Sequence, residues 1–187
     1  MFYFIIRGIA KFLLIVLFKI EIKGLENIPK EGKYLVCSNH ASNWDPMLVS
    51  ISFPRQIFWM AKKELFNNKI LSVFFNGLGA FPVDRENSDI SAIKNALRVL
   101  KQGHLLGMFP EGTRTSGYSK EHVKPGVAML AVKSKSSVIP VRIESNYKFL
   151  SKVKITIGSP VDFSVKDGQV NDYETISDDI LRRIYSL

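Results

Sequence analysis

Cysteine is almost missing from this chain. Cys37 is the only one, so no intrachain disulfide can form and neither a Cys-rich zinc site nor a Cys/His cluster can be assembled. It falls within the apolar run Tyr34-Leu35-Val36-Cys37, where a thiol packs as a small hydrophobe instead of attacking a substrate. Acidic residues are outnumbered, 17 against 26 Lys and Arg, for a formal charge of +9. A basic surface seeks phosphates, whether of nucleic acid, anionic lipid or a phosphorylated metabolite. No nucleic-acid motif is present, and the aromatics are not interleaved with the basic clusters as base-stacking platforms require. Internal repeats and linkers are lacking too, so 187 residues that are 46% hydrophobic and 23% charged read as one globular domain with its own core.

A charge-free apolar run long enough to span a bilayer is also absent. Met1 to Ile20 is apolar but broken by Arg7, Lys11 and Lys19, and each cation costs ~2.5 to 3.5 kcal/mol toward a bilayer centre. No small-residue cleavage pattern follows, which argues against a signal peptide. On a helix, Arg7 and Lys11 share one face, and Phe2, Ile5, Ile6, Ile9, Leu13, Val16, Leu17 and Ile20 cover the remainder. Such a segment is suited to lying in the headgroup plane of anionic lipid. Residues 1–20 are therefore expected to form an interfacial helix, and residues 21–187 the domain proper.

What is present from residue 21 onward alternates as an α/β domain does. Short apolar runs at Tyr34-Cys37, Ile57-Ala61, Leu105-Phe109, Val138-Ile143 and Val153-Ile157 read as strands, with amphipathic stretches between several of them. The clearest helix carries Ile90, Ile93, Leu97 and Leu100 as its apolar stripe and stops at Gly103, and another closes the chain with Ile176, Ile180 and Ile184. The expected fold is α/β, with a mixed, largely parallel central sheet flanked by helices.

Chemistry concentrates in Ser38-Asn39-His40-Ala41-Ser42-Asn43-Trp44-Asp45-Pro46, which sets an imidazole and a carboxylate five positions apart just after a buried strand. Pro46 disfavours helical geometry at Asp45, so the chain is expected to bend there and bring the carboxylate back to the imidazole. A carboxylate on one ring nitrogen fixes the tautomer and leaves the other nitrogen to take a proton. Composition alone gives about 0.3 such pairs at any one spacing, so corroboration is needed.

It comes from three further clusters. Gly79-Ala80-Phe81-Pro82-Val83-Asp84-Arg85 and Phe109-Pro110-Glu111-Gly112-Thr113-Arg114 each follow an apolar stretch and end in arginine, whose planar fork suits phosphate oxygens. Strand ends converge on one rim of an α/β sheet, where two such arginines can share a ligand. Lys124-Pro125-Gly126 places a lysine at the start of a helix, with Pro125 at its first position, where free amides already favour an anion.

Read together, these blocks resemble the 1-acylglycerol-3-phosphate acyltransferase family. Asn39, His40 and Asp45 match its Asn-His-x4-Asp motif, Phe81 to Arg85 and Pro110 to Arg114 match its second and third blocks, and Val138-Ile139-Pro140-Val141 resembles the fourth, in the same order. The resemblance implies that His40 acts as base on the sn-2 hydroxyl of a lysophosphatidic acid, that Asp45 orients it, and that Asn39, Arg85, Glu111, Gly112, Thr113, Arg114 and Lys124 bind substrate. Glu111 is equally readable as a structural ion-pair partner. It further implies no metal and no cofactor beyond the co-substrate, an acyl-CoA or acyl carrier protein thioester, and a monotopic enzyme on the cytoplasmic face of a phospholipid membrane. Another lysophospholipid, a lyso-aminolipid or glycerol 3-phosphate remains open as acceptor, as does a non-catalytic basic membrane-binding module.

Overall fold

A computed structural model describes residues 1–84, 89–163 and 172–187. Seven strands make one sheet: β1 (Lys19–Lys23), β2 (Tyr34–Ser38), β3 (Ile57–Lys62), β4 (Ala80–Val83), β5 (Leu105–Met108), β6 (Ser137–Ser145) and β7 (Lys152–Ile157). Their order is β1-β7-β6-β2-β5-β3-β4. Neighbours are parallel except for β6 and β7. The mixed, largely parallel α/β fold is as expected from sequence.

Helices divide between the two faces. α1 (Phe2–Leu17), α2 (Asp45–Ser52) and α3 (Lys69–Gly77) lie on one, where Leu14, Leu48, Val49, Ile51 and partly buried Phe75 pack with Val36, Ile139 and Ile155. α4 (Ile90–Lys101), α5 (Gly126–Ser134) and α6 (Tyr173–Tyr185) lie on the other, where Ala96, Leu100, Val127, Leu130, Ile180 and Ile184 pack with Leu35, Cys37 and Leu106. Central β2 is covered on both sides, so its Leu35, Val36 and Cys37 are all at 0% exposure; that is why it reads as a continuous apolar run. Burial holds the Cys37 thiol well above its ordinary pKa, which leaves it inert.

Placement of the site follows from this division. The loop after β2 leads into α2 on one face, and the loop after the adjacent, parallel β5 leads toward α5 on the other. Loops that part in this way leave a crevice at the carboxyl ends of the strands.

Several expectations change in detail. The first helix ends at Leu17, and Ile20 belongs to β1 beside Val153. Tyr3 and Leu14 of α1 are buried in the domain, so the helix is docked along one side while its other side is exposed. Among the described residues no helix is long and apolar enough to cross a membrane. Of the expected α4 stripe, Leu100 is buried and Ile93 and Leu97 pack against the core, whereas Ile90 is exposed and Ala92, Ala96 and Val99 are buried in addition. Asp45 is itself the first residue of α2, with Pro46 beside it in the first turn. Proline's missing N–H is no loss there, and the preceding Ser42–Trp44 turn, not a break at the proline, brings the carboxylate back.

Candidate active site

His40 follows β2 directly, and its Nδ1 lies 2.9 Å from Asp45 Oδ2. Asp45 is completely buried. Its Oδ2 also accepts the backbone N–H groups of Ala41 and Ser42, each at 2.7 Å, and its Oδ1 accepts the Tyr147 hydroxyl at 2.6 Å. A carboxylate so engaged is fixed in place and accepts from Nδ1–H of His40, which leaves Nε2 as the basic nitrogen.

The imidazole plane is held from the side. Phe109 stacks on it with centroids 4.0 Å apart and planes 14° apart, and Trp59 stacks on Phe109 in turn at 5.1 Å. Room for this pile comes from Gly107 on β5, where a Cβ would come within 2.7 Å of both Ile57 and Trp59. Trp59 is thus core, with its indole N–H donated to Ser50 Oγ.

A second carboxylate secures the backbone of the same residue. Glu111 Oε2 accepts the His40 N–H at 2.7 Å, and Oε1 accepts from Thr115 Oγ1 and the Tyr185 hydroxyl at 2.7 and 2.8 Å. Thr115 N–H closes the link by donating to His40 O. At 1% exposure, Glu111 sits beneath the site and holds His40 by neutral donors. Among the described residues no arginine forms an ion pair with it. Asn39 is held by its side chain: its amide exchanges two hydrogen bonds with the Ile143 backbone on β6, which pins the end of β2.

Exposed groups stand at the mouth. Arg114 donates from Nη1 to Asn43 Oδ1 at 3.2 Å, joining the loop after β5 to the turn that carries Asp45. Thr113 beside it is exposed. Gly112 takes a left-handed turn (φ +67), and the Lys124 side chain crosses over it, its Cγ 3.2 Å from where a Cβ would stand. Lys124 N–H donates to Pro110 O, which ties this lysine to the turn two residues before α5; Pro125 is the cap of that helix, one position earlier than expected. Arg114 and Lys124 therefore flank one turn, both exposed. Arg85 lies outside the described residues. Among the described residues, no group of three or more His, Cys, Asp or Glu is placed to hold a metal ion.

Sequence reasoning missed the two tyrosines. Tyr147 sits past β6 with left-handed backbone (φ 54), uncommon for an aromatic residue, and Tyr185 ends α6. Burial and the Asp45 carboxylate push the Tyr147 phenol well above its ordinary pKa; burial and Glu111 do the same for Tyr185. Both stay protonated donors. Arg142, also unremarked in the sequence, lies 4.0 Å over the Tyr185 ring. These partners are 102 and 74 residues from the carboxylates they serve, and no local pattern signals them.

A buried His–Asp pair at the crevice of a parallel sheet, in loops that also carry the exposed cations Arg114 and Lys124, is the equipment of an enzyme that works by general-base catalysis. A model of the acyltransferase family matches residues 19–144, and the chain belongs to that family. It is 36% identical to the 1-acyl-sn-glycerol-3-phosphate acyltransferase of Bacillus subtilis over 76% of this chain and 73% of that protein. To the enzyme of the same name from Streptococcus pneumoniae it is 34% identical over 96% of this chain and 70% of that one. The crystal structure of the 1-acyl-sn-glycerophosphate acyltransferase PlsC from Thermotoga maritima superposes with a TM-score of 0.75 at 26% identity, over 98% of this chain and 78% of that one.

Proposed function

We propose that this protein transfers an acyl chain from a thioester to the sn-2 hydroxyl of 1-acyl-glycerol 3-phosphate, giving phosphatidic acid. The observation that carries this reading is the buried His40–Asp45 contact at 2.9 Å, in a chain similar to proteins that bear that activity in their names. His40 Nε2 takes the hydroxyl proton as the oxygen attacks the thioester carbonyl. The tetrahedral intermediate then expels the thiolate, the C–S bond breaks, and the imidazolium returns the proton to sulfur. Asp45 stabilises the imidazolium, and a positioned base of this kind is worth ~10² to 10⁴ in rate.

Arg114 and Lys124 supply charge for the acceptor phosphate, with Arg85 as a further expected contributor and Thr113 beside them. Acyl-CoA and acyl carrier protein both suit a basic surface as donors, one carrying phosphates and the other being acidic. The activated carbonyl arrives on the thioester, so no other cofactor is invoked. A phospholipid surface is the expected setting, because α1 exposes large apolar side chains from Phe2 to Val16 and the acceptor is itself a lipid. The attachment is read as monotopic and on the cytoplasmic side, where such thioesters are made.

Thiol release from palmitoyl-CoA, and separately from palmitoyl acyl carrier protein, tests the reading. Release that depends on lysophosphatidic acid and disappears in His40→Ala is expected. Release that persists in the variant removes the base, and no release with either donor from folded protein moves the acceptor to another lysolipid.

A further inference from the structure

The two helical layers differ sharply in what they show to solvent. On α4, α5 and α6 together only Ile90 is an exposed large hydrophobe, whereas α1 exposes Phe2, Phe4, Ile5, Ile9, Phe12, Leu13, Ile15 and Val16. α3 does the same over its short length: Ile70 is 80% exposed, Val73 74%, Leu71 46% and Phe74 37%. Ile70, Val73 and Phe74 are spaced to share one helical face, and no residue of α3 is buried.

The two helices meet. Phe2 of α1 stacks edge-on against Phe74 with centroids 6.0 Å apart, and its ring lies so close to Gly77 that a Cβ there would come within 2.9 Å. At its other end the apolar layer reaches the site: Phe18, just past α1, packs on Trp44 beside Asp45, and Leu150 N–H donates to Leu17 O. Phe149 and Leu150, 70% and 49% exposed, follow Tyr147 by two and three residues. Charge on these helices has one sign. α1 and α3 carry Arg7, Lys11 and Lys69 and not a single carboxylate.

We infer that α3 is a second membrane-contacting element, which with α1 makes one apolar face, free of carboxylates, that rests on an anionic phospholipid surface and runs to the edge of the active site. The inference deepens the lipid-surface reading proposed above and rests on it. The occupant is a bilayer because twelve exposed apolar side chains, on two helices whose only charged residues are cations, match acyl chains beneath anionic headgroups. An acceptor lipid could then pass from the bilayer to His40 along the apolar layer, with its phosphate at the mouth.

The test measures partition of the full chain into phosphatidylglycerol vesicles by sedimentation, without turnover, so that it stands or falls apart from acyl transfer. Ile70→Glu with Val73→Glu is expected to weaken partition at least tenfold while the thermal midpoint, followed by circular dichroism, stays in place. Val73→Trp should bind at least as well and show a blue-shifted fluorescence on vesicle addition, which a residue facing water would not. Unchanged partition of the double variant, or no blue shift, overturns the role of α3 and leaves α1 alone. Failure of the unaltered protein to bind vesicles overturns the lipid-surface reading as well. A dimer of the unaltered protein that the same two substitutions dissociate assigns the face to a second copy instead.

Discussion

Tyr147 bears on the reaction only through Asp45, which makes its removal a clean test of what orientation contributes. Its hydroxyl donates to Asp45 Oδ1 at 2.6 Å, and a hydrogen bond to a charged group contributes about 1.5 to 3 kcal/mol. Tyr147→Phe is therefore expected to lower kcat about 10-fold with KM for both substrates nearly unchanged, as steady-state kinetics would show. A pH effect accompanies it. Both Tyr147 and Tyr185 are raised above the ordinary value by burial and a carboxylate, so above about pH 10 the unfolded chain gives up phenolic protons that the folded chain keeps. The folded state then binds more protons, and stability, full below that pH, falls as pH rises. Urea midpoints should decline above about pH 10, less steeply in Tyr147→Phe. Arg114, by contrast, is exposed and donates to Asn43. Arg114→Ala should raise KM for lysophosphatidic acid at least ~10-fold and KM for the acyl donor little; equal increases would move the phosphate elsewhere. At this scale His40 and Asp45 were legible because they are neighbours in sequence. The roles of Asn39 and Glu111 were not, since their partners Ile143, Thr115 and Tyr185 arrive only with the fold.

Between residue and domain, β5 shows how an element positions chemistry without touching it. Gly107 leaves the space into which Trp59 lies flat, Trp59 supports Phe109, and Phe109 supports the imidazole. Gly107→Ala places a methyl group within 2.7 Å of Ile57 and Trp59, and overpacking of that kind costs about 1 to 3 kcal/mol. A lower thermal midpoint is expected, together with a fall in kcat larger than the loss of folded protein explains. Activity per folded molecule that stays at the original level would show that the stack is packing alone. Strands were the most legible elements, because β2, β5 and β6 are buried and carry unbroken apolar runs. β1 was hidden by its alternation of Lys, Ile and Glu at the sheet edge. α3 was missed for a different reason: Ile70, Val73 and Phe74 do recur at helical spacing, but over only nine residues, and an apolar run that short does not separate helix from strand.

Over the whole molecule, a formal charge of +9 was readable at once, but its distribution was not. Much of the charge faces solvent with partners of its own, such as Lys154 with Glu144 and Arg183 with Asp179, while α1 and α3 pair cations with apolar side chains and no acid. Two forces then act on a vesicle at the same face, and they respond differently to salt. Coulomb attraction between exposed cations and lipid headgroups is screened as the Debye length falls from about 10 Å at 0.1 M to about 3 Å at 1 M salt. Burial of Ile9, Phe12, Ile70 and Val73 in the acyl region is not screened, and each fully buried side chain of this kind contributes on the order of 1.5 to 3 kcal/mol. Partition into phosphatidylglycerol vesicles should therefore weaken as salt is raised and level off above zero, and vesicles of neutral phosphatidylcholine should show the same residual at any salt. Complete release at about 1 M would make the attachment electrostatic and leave the exposed apolar layer without a role. Binding indifferent to salt would make Arg7, Lys11 and Lys69 irrelevant to it. Only a partial response fits a face that combines exposed apolar side chains with cations.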